Sequence, residues 1–282
     1  MARIQFVHNP ASGSFDQKLY SELMNAATAL GHESVSSVSS PDHHFQLVNG
    51  VDHVCVAGGD GTVRHVAACL AEEPSPPGIS VYPMGTINLA AREIDWPAKP
   101  IDFVRWIAQE SGRAHLWPTL IDQDYFIVCA SIGPDSHAVA RVSTKLKAVI
   151  GRFAYGVSMI KALLFWLPPA LTVTTDSGSF ECEALYVAKG RYFAGPWSFA
   201  PDARLDQPGL HVVALPSASR FAYSRFLLAL ALGRTDRLPG LRRMTVAWLT
   251  VECPTAQPVQ IDGDIGCTTP VTIKLAARPL LA

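Results

Sequence analysis

The stretch Val54-Cys55-Val56-Ala57-Gly58-Gly59-Asp60-Gly61-Thr62 decides how this chain folds. Four apolar residues make a run short enough for a buried strand, and three glycines with one carboxylate follow. Val63, Val66, Ala67 and Leu70 then recur at helical spacing. The segment reads as strand, tight turn, helix. Glycines permit positive φ and let backbone approach a bulky anion closely. The N–H groups at the start of the helix point back at the turn and make an anion site. Asp60 would repel a phosphate unless a metal or a proton lies between them, so the combination points to a nucleotide with Mg²⁺. Taken alone, the same residues also describe a glycine-rich surface turn.

Upstream, residues 3–8 read as a first strand that runs into Asn9-Pro10-Ala11-Ser12-Gly13. Ser14 and Gln17 fit a capping box. Phe15, Leu19, Leu23, Ala27 and Leu30 mark one face of the helix behind it, which Gly31 stops. Residues 33–39 suit a second strand, and a short helix is expected near 42–48. Downstream, Ile79–Tyr82 is a strand, followed by Pro83-Met84-Gly85-Thr86-Ile87-Asn88 and a helix with Leu89, Ala90, Ala91 and Ile94. This third turn also serves as an ordinary helix start. Strands alternating with helices imply a parallel sheet covered on both faces. Ligands of such sheets lie at the C-terminal strand ends, where the turns at 9–13, 58–62 and 83–88 all fall.

Beyond a helix at 101–109 the pattern changes. Strands are expected at 114–121, 124–131, 171–176, 180–188, 210–215, 245–252 and 271–275, with helices at about 152–167 and 219–232. This is a second, mostly antiparallel domain starting near residue 120. The expected division is 1–120 and 121–282, with the last strand free to return to the first domain. The helix over 152–167, rich in Phe, Leu and Trp, suits either a lipid interface or a packed core. Asp262-Gly263-Asp264 offers two carboxylates around a glycine, as a hairpin turn or as a site.

Composition narrows the function. The net charge is −1 and only 17% of residues are charged, so no basic surplus argues for nucleic acid. Six scattered cysteines without CxxC spacing fit a reducing cytoplasm and give no zinc signal. There is no N-terminal signal-like stretch and no run of about 18 apolar residues, so no membrane span is expected. GxxxxGK[ST] is missing, which excludes the P-loop solution.

Together these motifs resemble the diacylglycerol kinase catalytic-domain family, the bacterial lipid kinases related to sphingosine and ceramide kinases. Asn9–Gly13 looks like its first nucleotide loop, Gly58–Thr62 its GGDGT signature and Pro83–Asn88 its PLGTxN motif. Ser131-Ile132-Gly133-Pro134-Asp135 resembles a further glycine–aspartate segment, and Gly190–Ala203 the GRYxGGG…APDA stretch. Asp262-Gly263-Asp264 stands where the family has Asp-Gly-Glu. GGDGT alone is shared with NAD kinases, whereas all six in order are specific.

The resemblance implies a nucleotide-binding α/β domain with a parallel sheet, a C-terminal mostly antiparallel β domain, and an active site in the cleft between them. It implies ATP, Mg²⁺ and γ-phosphoryl transfer to a lipid hydroxyl. By that analogy Asn9, Pro10, Ser12, Gly13, Ser39, Gly58, Gly59, Asp60, Gly61, Thr62, Arg64, Gly85, Thr86 and Asn88 hold the nucleotide. Asp264 is the base, with a methylene less than the family's glutamate. Asp60 supports metal and phosphate or takes the base's place, and Asp135 and Asp262 extend the acidic network. The family's metal segment is altered to Asp206-Gln207-Pro208-Gly209-Leu210. Asp206 and the carbonyls of Arg204 and Leu210 are its remaining ligands. The partner implied is a lipid at the membrane surface, with the protein cytoplasmic or peripheral and a homodimer allowed. Two other readings compete: an NAD kinase-like enzyme, and a nucleotide- or lipid-binding protein with impaired catalysis.

Overall fold

The computed structural model describes residues 1–10, 12, 14–39, 44–110, 114–141, 159 and 162–282. The chain divides into two units: Met1–Pro118 with Arg204–Gln207 and Ala276–Ala282, and Thr119–Ala203 with Pro208–Leu275.

The first unit is built on β1 (Arg3–His8), β2 (Glu33–Val38), β3 (His53–Gly58) and β4 (Gly78–Pro83). The strand order is β2-β1-β3-β4, and every neighbouring pair is parallel. All four C-terminal ends therefore lie along one edge, which is what gathers turns distant in sequence. Strand alternation sends Cys55 and Ala57 to one face, into a core with Tyr20, Leu23, Phe103 and Ile107. These come from α1 (Gln17–Ala29) and α4 (Pro100–Glu110). Val54 and Val56 face the other way, fully buried along with Val63, Val66 and Leu70 of α2 (Asp60–Glu72). A short α3 (Leu89–Glu93) follows β4. The unit is completed by β5 (His115–Leu116), which pairs antiparallel with β18 (Leu280–Leu281).

Two local expectations need correction. The cap of α1 is Asp16, not Ser14: its carboxylate accepts from the backbone N–H of Lys18 at 2.8 Å and of Leu19 at 3.1 Å. An ionised acceptor there binds the orphan amides more strongly than a hydroxyl. The helix near 42–48 is not formed over 44–48, and residues 42 and 43 lie outside the described ones. Instead the buried Gln5 side chain holds that backbone, donating to the Gln46 carbonyl at 2.8 Å and accepting from Val48 N–H at 3.0 Å.

The second unit is a sandwich of two antiparallel sheets. One contains β6 (Thr119–Ile121), β7 (Asp124–Phe126), β9 (Leu171–Thr175), β10 (Gly178–Cys182), β14 (Trp248–Glu252) and β17 (Val271–Leu275). Its order is β10-β9-β14-β17-β6-β7. The other contains β8 (Cys129–Ile132), β11 (Ala184–Ala188), β12 (Leu210–Leu215), β13 (Arg242–Val246), β15 (Pro258–Ile261) and β16 (Asp264–Thr268). Its order is β13-β12-β11-β8-β15-β16. Leu171, Val173, Leu249, Val251 and Ile273 of the first sheet meet Ile132, Leu185, Val187, Val212 and Ile261 of the second. On the outer face of the second sheet, Tyr186, Val213 and Leu215 pack against Tyr223, Phe226 and Leu230 of α6 (Arg220–Ala231). Helix α5 (Pro134–Arg141) starts just after β8.

The strand expected over 180–188 is two strands broken at Glu183. The chain passes there from the first sheet, where β10 pairs with β9, to the second, where β11 pairs with β8 and β12, and the Glu183 side chain accepts from the Ala218 backbone N–H at 2.5 Å. Strands β15 and β16 and helix α5 carry weak sequence periodicity and lie outside the expected elements, while β13 ends inside the strand expected over 245–252. The helix expected over 152–167 falls mostly outside the described residues.

Candidate functional site

In the first unit, three turns are stitched to one another. Met84 N–H donates to the Gly58 carbonyl at 3.1 Å, and the Ser12 hydroxyl to the Met84 carbonyl at 3.2 Å. Ser39 N–H reaches the His8 carbonyl at 2.9 Å, and the Ser39 side chain is buried. Gly59 and Gly85 touch backbone to backbone. A Cβ added at Gly85 would stand 2.4 Å from the Gly59 Cα and 2.6 Å from Asn88 Oδ1. That is why the second and third turns both need glycine. Asn88 adopts φ 56°, and its side chain closes a ring on Gly85. Oδ1 accepts from Gly85 N–H at 2.8 Å, and Nδ2 donates to the Gly85 carbonyl at 2.7 Å.

Helix α2 begins at this cluster with Gly59 as its cap, and that glycine offers no side chain to its first amides. Orphan N–H groups at the start of a 13-residue helix are the donors an anion requires. Asp60, one residue on, does not fill them. Its Oδ1 accepts from Ala90 N–H at 3.0 Å, so the carboxylate caps α3 and fastens the second turn to the third. Burial pushes the Asp60 carboxyl up, while the amides of Ala90, Leu89 and Asn88 pull it back toward the anion. His8, at the end of β1, has its imidazole pushed down by burial, against a backbone hydrogen bond at Ser37. Thr62 is buried, Arg64 half-buried and Thr86 exposed. Asn9 and Pro10 follow β1, Gly61 lies in the first turn of α2, and Gly13 lies outside the described residues.

In the second unit the acidic residues have separate settings. Asp262 is 7% exposed at φ 47°, where a β-branched residue would be strained. Its Oδ2 accepts from Ile127 N–H at 2.7 Å, and its Oδ1 from Val128 N–H at 2.8 Å and Cys129 N–H at 3.0 Å. Three amides thus receive one carboxylate, and Asp262 N–H returns a bond to the Cys129 carbonyl at 2.9 Å. The turn that delivers Asp264, half-buried at the start of β16, is anchored by this nest.

Asp135 is fully enclosed in the first turn of α5. Its Oδ2 pairs with the Ser131 hydroxyl, which also lies 3.1 Å from Gln260 Oε1. Its Oδ1 accepts from the Tyr186 hydroxyl at 3.0 Å and the Tyr223 hydroxyl at 3.4 Å, and the two hydroxyls are 2.5 Å apart. Burial pushes the Asp135 carboxyl up, against the Ser131 and Tyr186 hydrogen bonds. Both tyrosines are driven well above their ordinary value by burial, then by the carboxylate. Sequence spacing gave no sign of these partners: Ser131, Tyr186, Tyr223 and Gln260 meet only through the sheet and α6.

Asp206 is exposed in the first unit with Arg204, whereas Leu210 belongs to β12 of the second. Among the described residues, no three His, Cys, Asp or Glu side chains converge as metal ligands. A cation carried by substrate phosphates needs only one or two carboxylates and waters, a requirement that single carboxylates such as Asp206 fit.

Residues 3–116 match the family model described as the diacylglycerol kinase catalytic domain. Residues 128–281 match the model described as the YegS C-terminal NAD kinase beta sandwich-like domain. The chain belongs to the diacylglycerol kinase family. It is thus a lipid kinase. A diacylglycerol kinase of Staphylococcus saprophyticus is 24% identical over 278 residues, covering 95% of this chain and 90% of the relative. One from Staphylococcus aureus strain JH9 is 26% identical over 280 residues, covering 95% and 88%. A crystal structure titled as a diacylglycerol kinase from Bacillus anthracis superposes with a TM-score of 0.76 at 19% identity, covering 98% of this kinase and 94% of that chain. The α/β unit and antiparallel β unit expected from the sequence are thus the kinase's fold. Among the described residues, no helix is long and apolar enough to cross a membrane.

Proposed function

We propose that this kinase transfers the γ-phosphoryl group of ATP, delivered with Mg²⁺, to the hydroxyl of a diacylglycerol-like lipid. One observation carries the nucleotide half. Three backbone-rich turns meet at one edge of a parallel sheet, around a helix start capped by a glycine that has no side chain to offer its amides. The relatives named diacylglycerol kinase support the lipid half.

In this reading the turns bearing Asn9, Pro10, Ser12, Gly13, Ser39, Gly58–Thr62, Arg64, Gly85, Thr86 and Asn88 bind and orient the phosphates and nucleoside. Asp60 is a positioning residue that locks the second turn to the third through Ala90. The cation, when bound, neutralises phosphate charge. The lipid hydroxyl oxygen forms a bond to the γ-phosphorus. The bond from that phosphorus to the bridging oxygen breaks, and ADP departs with the electron pair. The hydroxyl proton passes to the Asp264 carboxylate and then to water. Asp262 holds the turn that presents Asp264. Asp135 stabilises the start of α5 from within.

The test is label transfer. Purified protein, γ-labelled ATP and Mg²⁺ are mixed with single lipids in detergent micelles, and the organic phase is counted. Label in a glycerolipid carrying a free hydroxyl is the expected result. Absence of label in every lipid with ATP binding intact would overturn turnover and leave a nucleotide-binding protein. Label in NAD⁺ would replace the lipid reading with the dinucleotide one.

A further inference from the structure

Helix α6 is apolar on two opposite sides. Tyr223, Phe226 and Leu230 face the sandwich and are 0%, 0% and 3% exposed. Phe221, Leu228 and Leu232 fall seven and four positions apart, hence in one stripe on the other side. They are 74%, 61% and 58% exposed. A helix face of large apolar side chains is ordinarily covered by protein or by lipid, and of the two apolar faces of α6 the sandwich covers one.

Both ends of the helix are tied to further exposed apolar groups. The Trp166 indole N–H donates to the Ala218 carbonyl at 2.8 Å, which fixes its neighbours Phe165 and Leu167 beside the start of α6. Those two are 72% and 84% exposed. At the other end the Thr235 hydroxyl donates to the Ser198 carbonyl at 3.2 Å, next to the exposed Trp197. Scattered exposed apolar residues are normal, whereas a continuous row of large ones marks a contact surface.

The charges beside the row select the partner. Helix α6 carries Arg220 and Arg225 and no acid, and Arg234, Asp236 and Arg237 follow it, all exposed. Four arginines stand against Asp236 and the half-buried Glu183, whose carboxylate accepts from Ala218 N–H, in a chain whose net charge is −1. The Arg225 guanidinium lies 5.9 Å from the centre of the Phe221 ring, within the apolar stripe itself. A second copy docked symmetrically on this face would bring the same arginines together. An apolar stripe flanked by arginine is what an interfacial helix presents to anionic headgroups.

We propose that the outer face of α6, with Phe165, Leu167 and Trp197 at its ends, is the surface by which this protein lies on an anionic lipid bilayer. The proposal rests on the lipid-kinase reading for its purpose, and its test uses no turnover. The full chain, without nucleotide, is sedimented with phosphatidylcholine vesicles with and without phosphatidylserine. The expected result is binding that rises with phosphatidylserine and falls with salt. The Phe221→Ser/Leu228→Ser protein should lose at least about tenfold in partitioning, with unchanged melting and ATP binding. Arg220→Gln/Arg225→Gln should lose the preference for phosphatidylserine. Equal sedimentation of wild type and the apolar variant would overturn the proposal. So would a wild-type dimer in vesicle-free ultracentrifugation that the same variant splits, because the face would then belong to a second copy. Failure of the kinase reading shows separately, as loss of label transfer in micelles with vesicle binding intact.

Discussion

Asp262 and Asp264 are two residues apart and differently employed. Asp262 gives its whole carboxylate to three amides, whereas Asp264 stands half-buried at the strand start beyond it. Asp264→Asn removes a proton acceptor without changing shape, so turnover should fall at least about 10²-fold with ATP affinity kept. Asp264→Glu restores the carboxylate with more reach and should retain activity within about tenfold. Micelle assays and an ATP titration on the three proteins check both statements, and near-normal turnover in the Asn variant would remove Asp264 from the chemistry. Asp262→Asn puts an NH₂ where an oxygen now receives an amide. It should cost about 2–3 kcal/mol in urea unfolding and lower kcat more than KM, because the turn carrying Asp264 loses its anchor. Neither role could be read from Asp-Gly-Asp alone. The amides that hold Asp262 come from Ile127–Cys129, residues whose apolar side chains say nothing about where their N–H groups point.

The elements of the first unit were legible because each had a period or a punctuating residue. The apolar run 54–57, the helical spacing after Thr62 and Gly31 at the end of α1 each correspond to an observed element. The three turns were legible as a group, since parallel strands must end together. Where the reading failed along 44–48, the Gln5 side chain had taken over a backbone's partners. The strand that alternation made continuous over 180–188 instead crosses at Glu183 from one sheet to the other, which alternation does not mark. The contact between Gly59 and Gly85 was equally invisible, since it joins two turns across a sheet. Gly85→Ala tests its worth. With Cβ 2.4 Å from the Gly59 Cα, the turns must separate, costing about 1–3 kcal/mol. ATP affinity should fall at least about tenfold. Calorimetric melting and ATP titration read the two effects. An alanine variant with wild-type affinity would show that the two turns do not act together.

At the scale of the molecule, acid should strike the first unit through His53. This residue begins β3, is 4% exposed and has neither ring nitrogen hydrogen-bonded. Burial pushes its imidazole down to about 4 from 6.5. The unfolded chain therefore binds the proton first. Stability is fully present above about pH 6.5 and is lost as the pH falls toward 4, by about 3 kcal/mol in all. Melting followed from pH 7.5 to 4.5 should show that slope, and His53→Leu should flatten it. An identical slope in the variant would assign the acid sensitivity to other groups. The path of the chain has a different bearing, on how the gene can be divided. Residues 204–207 and 276–282 belong with the first 118, and Leu116 forms its ladder with Leu280, 164 positions later. No single cut yields the first unit intact. A fragment ending at 118 would expose a raw strand edge, and a recombinant exchange with a homologue would need several crossovers to swap one half cleanly.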